Sequence, residues 1–220
     1  SPFLLTRKIL RVDVLAMTHA HPDHSGGLPY LLAHHRPREF WWTGVPGEGA
    51  EWERLAAALA RRSSTIRVRA AGEVAGAIEV LQPPRDAGAM SLNDSSLTLR
   101  LRADPDAVLL TGDIEARAEA RLLRAPPTVA ARVLKVPHHG SRTSSTPSFV
   151  AAVAPEVAVM SVGADNRYGL PSPEVERRYR ARGTCVLRTD RCGAITVTLA
   201  RGRLAVRSAR GCDCAATPPS

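Results

Sequence analysis

The sequence predicts an α/β layered fold, in which buried strands alternate with amphipathic helices. Short apolar runs are followed by helical patterns, as where Ala107–Leu110 precedes Ile114–Arg124. Polar and titratable residues collect in the loops after such strands, at His19–His24, at Asp113 and at His138-His139. With 220 residues and 44% hydrophobic side chains, the chain can bury one core of this kind.

The elements of the first half follow from periodicity. Alternation of apolar and polar residues predicts half-buried strands, and apolar residues at i, i+3 and i+4 predict helices. Gly26-Gly27-Leu28-Pro29 opens a helix that runs through His35, and Asp86–Met90 is a loop. The remaining predicted elements are a helix end or connector at Pro2–Arg11, strands at Val12–Thr18, Arg38–Thr43, Ile66–Arg69, Ala77–Leu81, Ser96–Arg102 and Ala107–Leu110, and helices at Glu51–Arg62 and Ile114–Arg124.

The second half repeats this alternation and shows no internal repeat. Gly163–Pro173 is a polar loop between a buried strand and a helix. The predicted elements are strands at Arg132–Val136, Val157–Val162, Cys185–Arg188, Ala194–Leu199 and Leu204–Arg207, and helices at Ser148–Ala154 and Pro173–Arg182.

The charge balance favours a polyanionic partner. The formal net charge is +9, and all but two of the 30 basic residues are Arg. Ten of these Arg lie between Glu176 and Arg210, so the basic excess is concentrated near the C-terminus. The plainer interpretation is compositional, because Ala- and Arg-rich chains are also typical of G+C-rich genomes.

The four cysteines lie close to the C-terminus. Cys185 and Cys192 flank a predicted turn and could pair across a hairpin, which would fit an oxidising compartment. Cys212 and Cys214 belong to a small, polar tail, residues 211–220, which we expect to be disordered. No run of 18 apolar residues is present, so the sequence predicts no membrane-spanning helix.

The stretch His19–His24 packs three imidazoles and one carboxylate into six residues directly after a predicted strand. His19 and His21, two residues apart, can project toward one ion. Asp23 and His24 then come from the turn and can face a second ion. This density of ligand side chains after a strand is far more specific than a lone His-x-His pair.

Two later clusters can complete this site. Asp113 alone would be an ordinary helix N-cap, but its two carboxylate oxygens could bridge two ions. His138-His139 alone would be a turn with two solvated imidazoles. Together they predict a two-metal site with Asp23 and Asp113 as its catalytic carboxylates, and the mixture of imidazole and carboxylate suits Zn or Mn.

The order of these clusters resembles the metallo-β-lactamase superfamily. His19–His24 matches its H-x-H-x-D-H motif, and Thr111-Gly112-Asp113 matches its bridging aspartate. A finer resemblance is to the C-terminal β-lactamase-like domain of the ComEC/Rec2 family of competence DNA-internalisation proteins. The similar blocks are residues 18–28, 92–101, 109–123, 134–145, 161–169 and 188–197.

The resemblance implies an αββα four-layer sandwich over residues 1–210, lacking its first strands. It implies a multi-pass membrane parent that carries this domain, itself soluble, on the extracytoplasmic face of the cell membrane. The implied function is a nuclease that uses two divalent ions, Mn or Zn, and degrades the strand of DNA that is not imported. The implied partners are therefore DNA, either single-stranded or being degraded, and the parent channel domain.

Site residues follow from the same resemblance. The implied metal ligands are His19, His21, Asp23, His24 and Asp113, together with one of His138 and His139. We favour His138, because it directly follows the strand and Pro137. The residues expected to position the DNA backbone are Ser141, Arg142, Ser144, Ser145, Asn166 and Tyr168.

Three departures from the family pattern stand out. The third histidine of the first metal is missing, so Asn93 or Asp94 would have to supply an oxygen and the first ion is expected to be weakly held. Leu170-Pro171 stands where the family commonly has His-Pro. The opening strands, with their Gly-Gln-Gly-Asp stretch, do not precede Ser1, and we expect this to leave an edge or core exposed.

Two other functions stay open on the sequence. A non-catalytic DNA-handling module with a weakened metal site would explain the missing histidine. A hydrolase of small-molecule esters or phosphoesters could use the same fold, but aromatic residues, at 4%, are too few to build a stacking wall.

Overall fold

The computed structural model describes residues 2–124 and 128–214. Within these ranges the helices are α1 (Pro2–Thr6), α2 (Pro22–Ser25), α3 (Leu28–His35), α4 (Gly49–Ala60), α5 (Ala116–Leu122), α6 (Pro147–Val153), α7 (Pro173–Arg180) and α8 (Thr189–Cys192). The strands are β1 (Val14–Ala16), β2 (Glu39–Trp42), β3 (Thr65–Val68), β4 (Val74–Ala75), β5 (Ile78–Gln82), β6 (Thr98–Ala103), β7 (Asp106–Leu110), β8 (Val133–Lys135), β9 (Val157–Met160), β10 (Cys185–Arg188), β11 (Ile195–Ala200) and β12 (Arg203–Ser208).

The strands form two main sheets and a separate hairpin. The smaller sheet has the order β1-β2-β3 and is parallel throughout. The larger sheet has the order β10-β9-β8-β7-β6-β5-β4, parallel from β7 to β10 and antiparallel from β4 to β7. Strands β11 and β12 pair antiparallel with each other.

Alternation along β2 explains how the smaller sheet is covered on both faces. Phe40 points toward helices α3 and α4, where it packs with Leu32 and Leu55. Its neighbour Trp41 points the other way and packs with Leu97 and other residues of the larger sheet. Successive strand side chains point to opposite faces, so one short strand contributes to two separate cores.

The second face of the larger sheet is covered by α5, α6 and α7. Leu109 and Leu134 of the sheet pack there against Phe149 and Tyr179, and all four side chains are fully buried. The order of layers is therefore helices, sheet, sheet, helices. This confirms the predicted αββα sandwich.

The helices and strands predicted from the sequence differ from those of the structure mainly where tertiary contacts set the bounds of an element. The strand predicted at Val12–Thr18 is only β1, three residues long, and the expected turn after His21 is the short helix α2. Strand β4 and helix α8 were not predicted. Strand β3 was predicted from alternation, yet all four of its residues are exposed, because β3 lies at the edge of its sheet.

The disulfide pairing corrects the sequence prediction. Cys185 pairs with Cys214 and Cys192 pairs with Cys212, so Cys185 and Cys192 do not pair with each other. Cys192 is the last residue of α8. Just after β12, the backbone N–H groups of Ala209 and Arg210 donate to the carbonyls of Ala194 and Cys192, so the segment that follows β12 lies beside these cysteines. Residues 211–214 of the predicted disordered tail are thereby attached, whereas residues 215–220 lie outside the described part of the chain.

The hairpin packs on the edge of the larger sheet through these cysteines. Cys192 is buried with Val157 and Leu187, and Val197 and Val206 of the hairpin pack against them. Among the described residues, no helix is long and apolar enough to cross a bilayer.

Replacing Cys185 and Cys214 together by Ser should lower the free energy of unfolding by about 2–4 kcal/mol, because the cross-link joins residues 29 positions apart. The double substitution leaves no unpaired thiol. Urea denaturation of the variant and the parent protein measures the difference. Four reactive thiols in the unreduced, unfolded parent protein would contradict the pairing.

Candidate metal centre

The candidate metal centre lies where several strands end at one edge of the sandwich. Strands β7, β8 and β9 are parallel neighbours, so their carboxyl ends meet at the same edge. Asp113 follows β7, the His138-His139 pair follows β8, and Ser161 follows β9. The loop after β1 joins them, because the Thr18 carbonyl accepts a hydrogen bond from Leu97 N at 2.8 Å.

Four side chains converge most closely at this edge. One donor atom from each of Asp23, His24, Asp113 and His139 lies within 4.8 Å of the others. Asp113 Oδ2 is 3.1 Å from His24 Nε2 and 3.1 Å from His139 Nε2. Asp23 Oδ2 is 3.2 Å from His139 Nε2, which places both carboxylates against the same imidazole.

Hydrogen bonds behind the rings fix which nitrogen faces the cluster. His139 Nδ1 donates to the Ser161 carbonyl at 2.6 Å, which leaves Nε2 as the free ring nitrogen. His24 Nδ1 lies 3.1 Å from the Thr18 hydroxyl, so its Nε2 also points inward. Partners of this kind orient metal-binding imidazoles in proteins.

His19 and His21 form the second half of the site. His19 Nε2 lies 3.0 Å from His21 Nδ1 and 4.0 Å from Asp113 Oδ2. The His19 ring is almost fully buried, and its Nδ1 lies 3.2 Å from the hydroxyls of both Thr18 and Ser96. The motif therefore brings its two imidazoles together as the spacing predicts.

A glycine allows Asp113 to approach His19. Gly112 has φ +57°, and a Cβ at this position would lie 2.7 Å from Ser96 Cβ and 2.9 Å from Thr18 Cβ. Ser96 Oγ also accepts a hydrogen bond from Asp113 N at 3.0 Å. Only a residue without a side chain fits here, so the turn before Asp113 lies tightly against the segment before β6 that carries Ser96.

Lys135 divides the two oxygens of Asp113 between different partners. Lys135 Nζ donates to Asp113 Oδ1 at 3.2 Å and to the Gly112 carbonyl at 3.0 Å. Only Oδ2 faces the histidines. The bridging role of Asp113 stays a prediction, and Oδ2 is the oxygen that faces both groups of imidazoles. The sequence analysis did not single out Lys135, although it ends the strand before the His138-His139 pair.

The electrostatics of the cluster follow from burial and from these contacts. Burial alone would raise the pKa of Asp113, but hydrogen bonds from His139 and His24 and the charge of Lys135 hold it below its usual range. The hydrogen bonds of His139 to Asp113 and Asp23 raise its pKa to about 9. Burial, with His24 nearby, lowers the pKa of His19 to about 3.

The donor set fits a cation. The Nε2 atoms of His24 and His139 face each other at 3.1 Å, with the two Asp carboxylates beside them. Lone pairs and negative oxygens crowded this closely are stable only around positive charge, which a proton or a metal ion can provide. Asp23, His24, Asp113 and His139 could hold one divalent ion, and His19 and His21 could contribute to a second.

The structure brings His139, and not His138, to the cluster, which corrects our preference between them. His138 has φ 45° and His139 has φ 53°, so two successive residues adopt left-handed backbone. This turn sends His138 Nδ1 to Glu115 Oε1, at 3.1 Å, and to Thr143 Oγ1, at 3.2 Å. Such strain persists only where surrounding structure imposes it, and it is typical of functional sites.

The structure gives different surroundings to Asn93 and Asp94, the two residues predicted to replace the missing histidine. Asp94 Oδ1 accepts a hydrogen bond from Glu115 N at 2.8 Å at the start of α5, and Asp94 does not join the four-residue cluster. Asn93 Oδ1 is buried and has no hydrogen-bond partner among the described residues. Asn93 belongs to the turn that carries Ser96, so its amide oxygen stays the candidate ligand.

Two of the predicted DNA contacts in the loop after His139 are corrected. Ser144 is buried and donates to the Pro137 carbonyl at 3.0 Å, and Ser145 is buried and accepts from Tyr179 Oη at 3.0 Å. Both hydroxyls therefore support the loop and cannot reach a substrate. Ser141 lines the cavity at the metal centre, and Arg142 is exposed on the surface of the same loop.

Asn166 and Tyr168 lie on the loop between β9 and α7. The Asn166 amide is used inside this loop, where it donates to the carbonyls of Gly163 and Leu170 and accepts from Leu170 N. Asn166 also lines a pocket beside the cluster, so its contact with substrate stays a prediction. Tyr168 is 70% exposed and lines the cavity.

The metal centre opens into a cavity of about 700 Å³. The residues that line it include His21, Asp23, Asp113, Arg167 and Tyr168. Arg167 was not predicted as a site residue, although it lies within the block that resembles the competence proteins.

The Arg-rich C-terminal third does not surround this cavity. Gly202, at the tip of the β11–β12 hairpin, accepts a hydrogen bond from Arg132, which lies just before β8. The metal centre is beyond the opposite end of β8. Three of the ten Arg in this third, namely Arg178, Arg180 and Arg188, form ion pairs with Glu174, Glu176 or Asp190.

The fold and the metal-ligand cluster define a domain of the metallo-β-lactamase type. Residues 2–164 match the family model described as the metallo-beta-lactamase superfamily, and the chain belongs to that superfamily.

Among curated proteins, the chain is similar to bacterial competence proteins. It is 34% identical to ComE operon protein 3 of Bacillus subtilis (strain 168), over 88% of this chain and 25% of that protein. It is 34% identical to competence protein ComA of Neisseria gonorrhoeae, over 91% of this chain and 27% of that protein. Recombination protein 2 of Haemophilus influenzae is 33% identical over 54% of this chain. These matches confirm the resemblance to the ComEC/Rec2 family, and the chain spans about a quarter of the length of the first two relatives.

The two adjacent histidines can be separated experimentally. We expect His139→Ala to lose metal, because it removes an Nε2 that touches both carboxylates of the cluster. His138→Ala should retain metal, since this ring points to Glu115 and Thr143. Elemental analysis of the purified variants, with circular dichroism to verify folding, measures the difference. Loss of metal in His138→Ala alone would reverse the assignment.

Lys135→Met should destabilise the metal-free protein by about 3 kcal/mol, because removal of one partner leaves the buried Asp113 carboxylate less compensated. In the presence of saturating Zn²⁺ or Mn²⁺ the loss should be smaller, since the cation then balances the same carboxylate. Thermal unfolding with and without metal measures both values, and Lys135→Arg serves as the control that keeps the charge. An equal loss in both conditions would show that Lys135 acts only by packing.

Proposed function

We propose that this domain is a metal-dependent phosphodiesterase that acts on DNA. The observation that carries the proposal is the convergence of five imidazole and carboxylate groups, those of His19, Asp23, His24, Asp113 and His139, beside an open cavity that Asp23, Asp113 and His139 line. Superfamily membership supports a metal-dependent hydrolase in general. The named competence relatives support DNA as the substrate.

The proposed cofactors are two divalent ions, Mn or Zn. Asp23, His24, Asp113 and His139 would hold the better-formed site, and His19 and His21 the weaker one, with Asn93 as a candidate third ligand. When bound, such ions supply an activated water and polarise the phosphoryl group. The site at His19 and His21 is expected to bind its ion more weakly, because Asp113 Oδ2, which lies 4.0 Å from His19 Nε2, is shared with the better-formed site.

The chain's own residues orient and receive the substrate. Thr18, Ser96 and Ser161 hold the histidines in the orientation that points the donor nitrogens inward. Arg167 lines the same cavity as Asp23 and Asp113 and would contact a phosphate oxygen. Ser141 lies beside His138 and His139 and would contact a neighbouring phosphate.

The biological role that we propose is degradation of the strand of DNA that is not imported during natural transformation. The domain would act on the extracytoplasmic face of the cell membrane as part of a multi-pass protein. The two disulfides support that location, because such bonds form and persist in oxidising compartments. Arg residues that have no carboxylate partner would give sequence-independent, salt-sensitive affinity for DNA.

The same observations give less support to the two other functions, a non-catalytic DNA-handling module and a small-molecule hydrolase. A non-catalytic DNA-handling module would not need the convergence of Asp23, Asp113 and three oriented imidazoles. A hydrolase of small-molecule esters or phosphoesters would be favoured by an enclosed apolar pocket, whereas the main cavity here is open and lined by charged groups.

The purified domain should cut DNA when Mn²⁺ is added and stop when the ion is chelated. Asp113→Ala should reduce the rate by at least roughly 10²- to 10³-fold, the scale expected for loss of one contact that stabilises transition-state charge. The measurement follows cleavage of a labelled DNA strand on a denaturing gel.

Asp13→Ala is the matched control for this experiment, because Asp13 is an exposed carboxylate at the opposite end of β1. It should cut at the parent rate. Absence of cutting with Mn²⁺, Zn²⁺, Mg²⁺ and Co²⁺, in protein that contains bound metal, would exclude the nuclease function.

A further inference from the structure

A second pocket adjoins the metal centre on the side of the β9–α7 loop. It has a volume of about 360 Å³ and shares Asp23, His139, Tyr168 and Leu170 with the larger cavity. Away from the ligands its wall is largely apolar and includes Val162. A group bound here would therefore lie directly beside a phosphate bound at the metal centre.

Tyr168 forms the exposed aromatic wall between the two cavities. Its ring is 70% exposed, although it stands at the mouth of a functional site. The Arg167 guanidinium carbon lies 5.1 Å from the ring centroid, and Arg167 Nη2 donates to Tyr168 Oη at 2.9 Å. An aromatic ring next to a cationic side chain is the combination with which proteins bind single-stranded nucleic acid.

The loop that presents Tyr168 is held in shape before any ligand binds. Asn166 makes three hydrogen bonds across the loop, two of them to Leu170. The backbone of this loop is therefore held in place without a ligand, so binding would cost little ordering of the loop. Asn166 therefore shapes the loop, and it also lines the pocket beside Tyr168.

We infer that the pocket beside Tyr168 binds one nucleobase of the strand being cut, next to the phosphate that is held at the metal centre. This inference rests on the proposed function, which accounts for the phosphate of the substrate, and it adds a site for the base. The geometry joins a polar site that suits a phosphate to an apolar, aromatic site that suits a base, through walls that they share. Stacking accepts every base because every base has a π-face, so the pocket selects no sequence. It does select unpaired nucleotides, because a base cannot enter the pocket while it is stacked in a duplex.

Photo-crosslinking tests the contact directly. Single-stranded oligonucleotides that carry one 5-iododeoxyuridine at successive positions are irradiated with the full domain in a chelator, which prevents cutting. We expect a crosslink in the tryptic peptide 168–177, which begins at Tyr168 because Arg167 precedes it. Crosslinks only to other peptides would overturn the inference.

Binding measurements separate contact with a base from contact with the backbone. Tyr168→Ala should weaken binding of a single-stranded oligonucleotide by roughly tenfold to a hundredfold, the scale measured for loss of one stacked base. Tyr168→Phe should bind as the parent does, because it keeps the ring. Tyr30→Ala is the matched control, since Tyr30 is also exposed but lies on α3, where it stacks on His34. Fluorescence anisotropy gives the affinities.

An abasic oligonucleotide of the same length distinguishes contact with a base from contact with the backbone. It should bind the parent and Tyr168→Ala equally well. An equal loss on both strands would mean that Tyr168 contacts the backbone and would overturn the inference, as would normal binding by Tyr168→Ala. If the parent binds strands through Tyr168 but cuts none of them, the nuclease function fails while the base pocket stands. If the parent does not bind DNA, both are excluded.

Discussion

The buried carboxylate of Asp113 is the constraint on which the site depends. A carboxylate removed from water must be compensated by hydrogen bonds and positive charge, or the fold loses stability. Its partners come from two distant parts of the chain: His24 from α2, and Lys135 and His139 from β8 and the loop that follows it. Compensation of one anion therefore fixes the relative positions of the strand ends that make up the metal centre.

A second buried carboxylate, Glu119, holds the loop that carries His139. It accepts hydrogen bonds from the backbone of Ser145 and Thr146 at the start of α6, and burial raises its pKa. Arg178 binds the Ser145 carbonyl from the other side. The left-handed backbone at Ser145, with φ 57°, is thus supported from both α5 and α7.

Much of the fold and about half of the site could be predicted from the sequence. Alternation and helical periodicity located most elements, and the density of His19–His24 identified a metal site, because these signals are local. The choice between His138 and His139 could not be predicted, since it depends on two backbone dihedral angles. The hydroxyls of Ser144 and Ser145 were misassigned for a similar reason: their sequence context is polar, but α6 and α7 bury them.

By itself, the sequence determined the layered fold, the ligand types and the resemblance to competence proteins, because all three depend on the identity and spacing of residues. The tertiary structure decided how those residues are used. It assigned one oxygen of Asp113 to Lys135 and the other to the histidines, and it paired Cys185 with Cys214. It also joined the Tyr168 pocket to the metal centre. These are contacts between residues far apart in the chain, and the packing of the two sheets and their helices alone brings them within bonding distance.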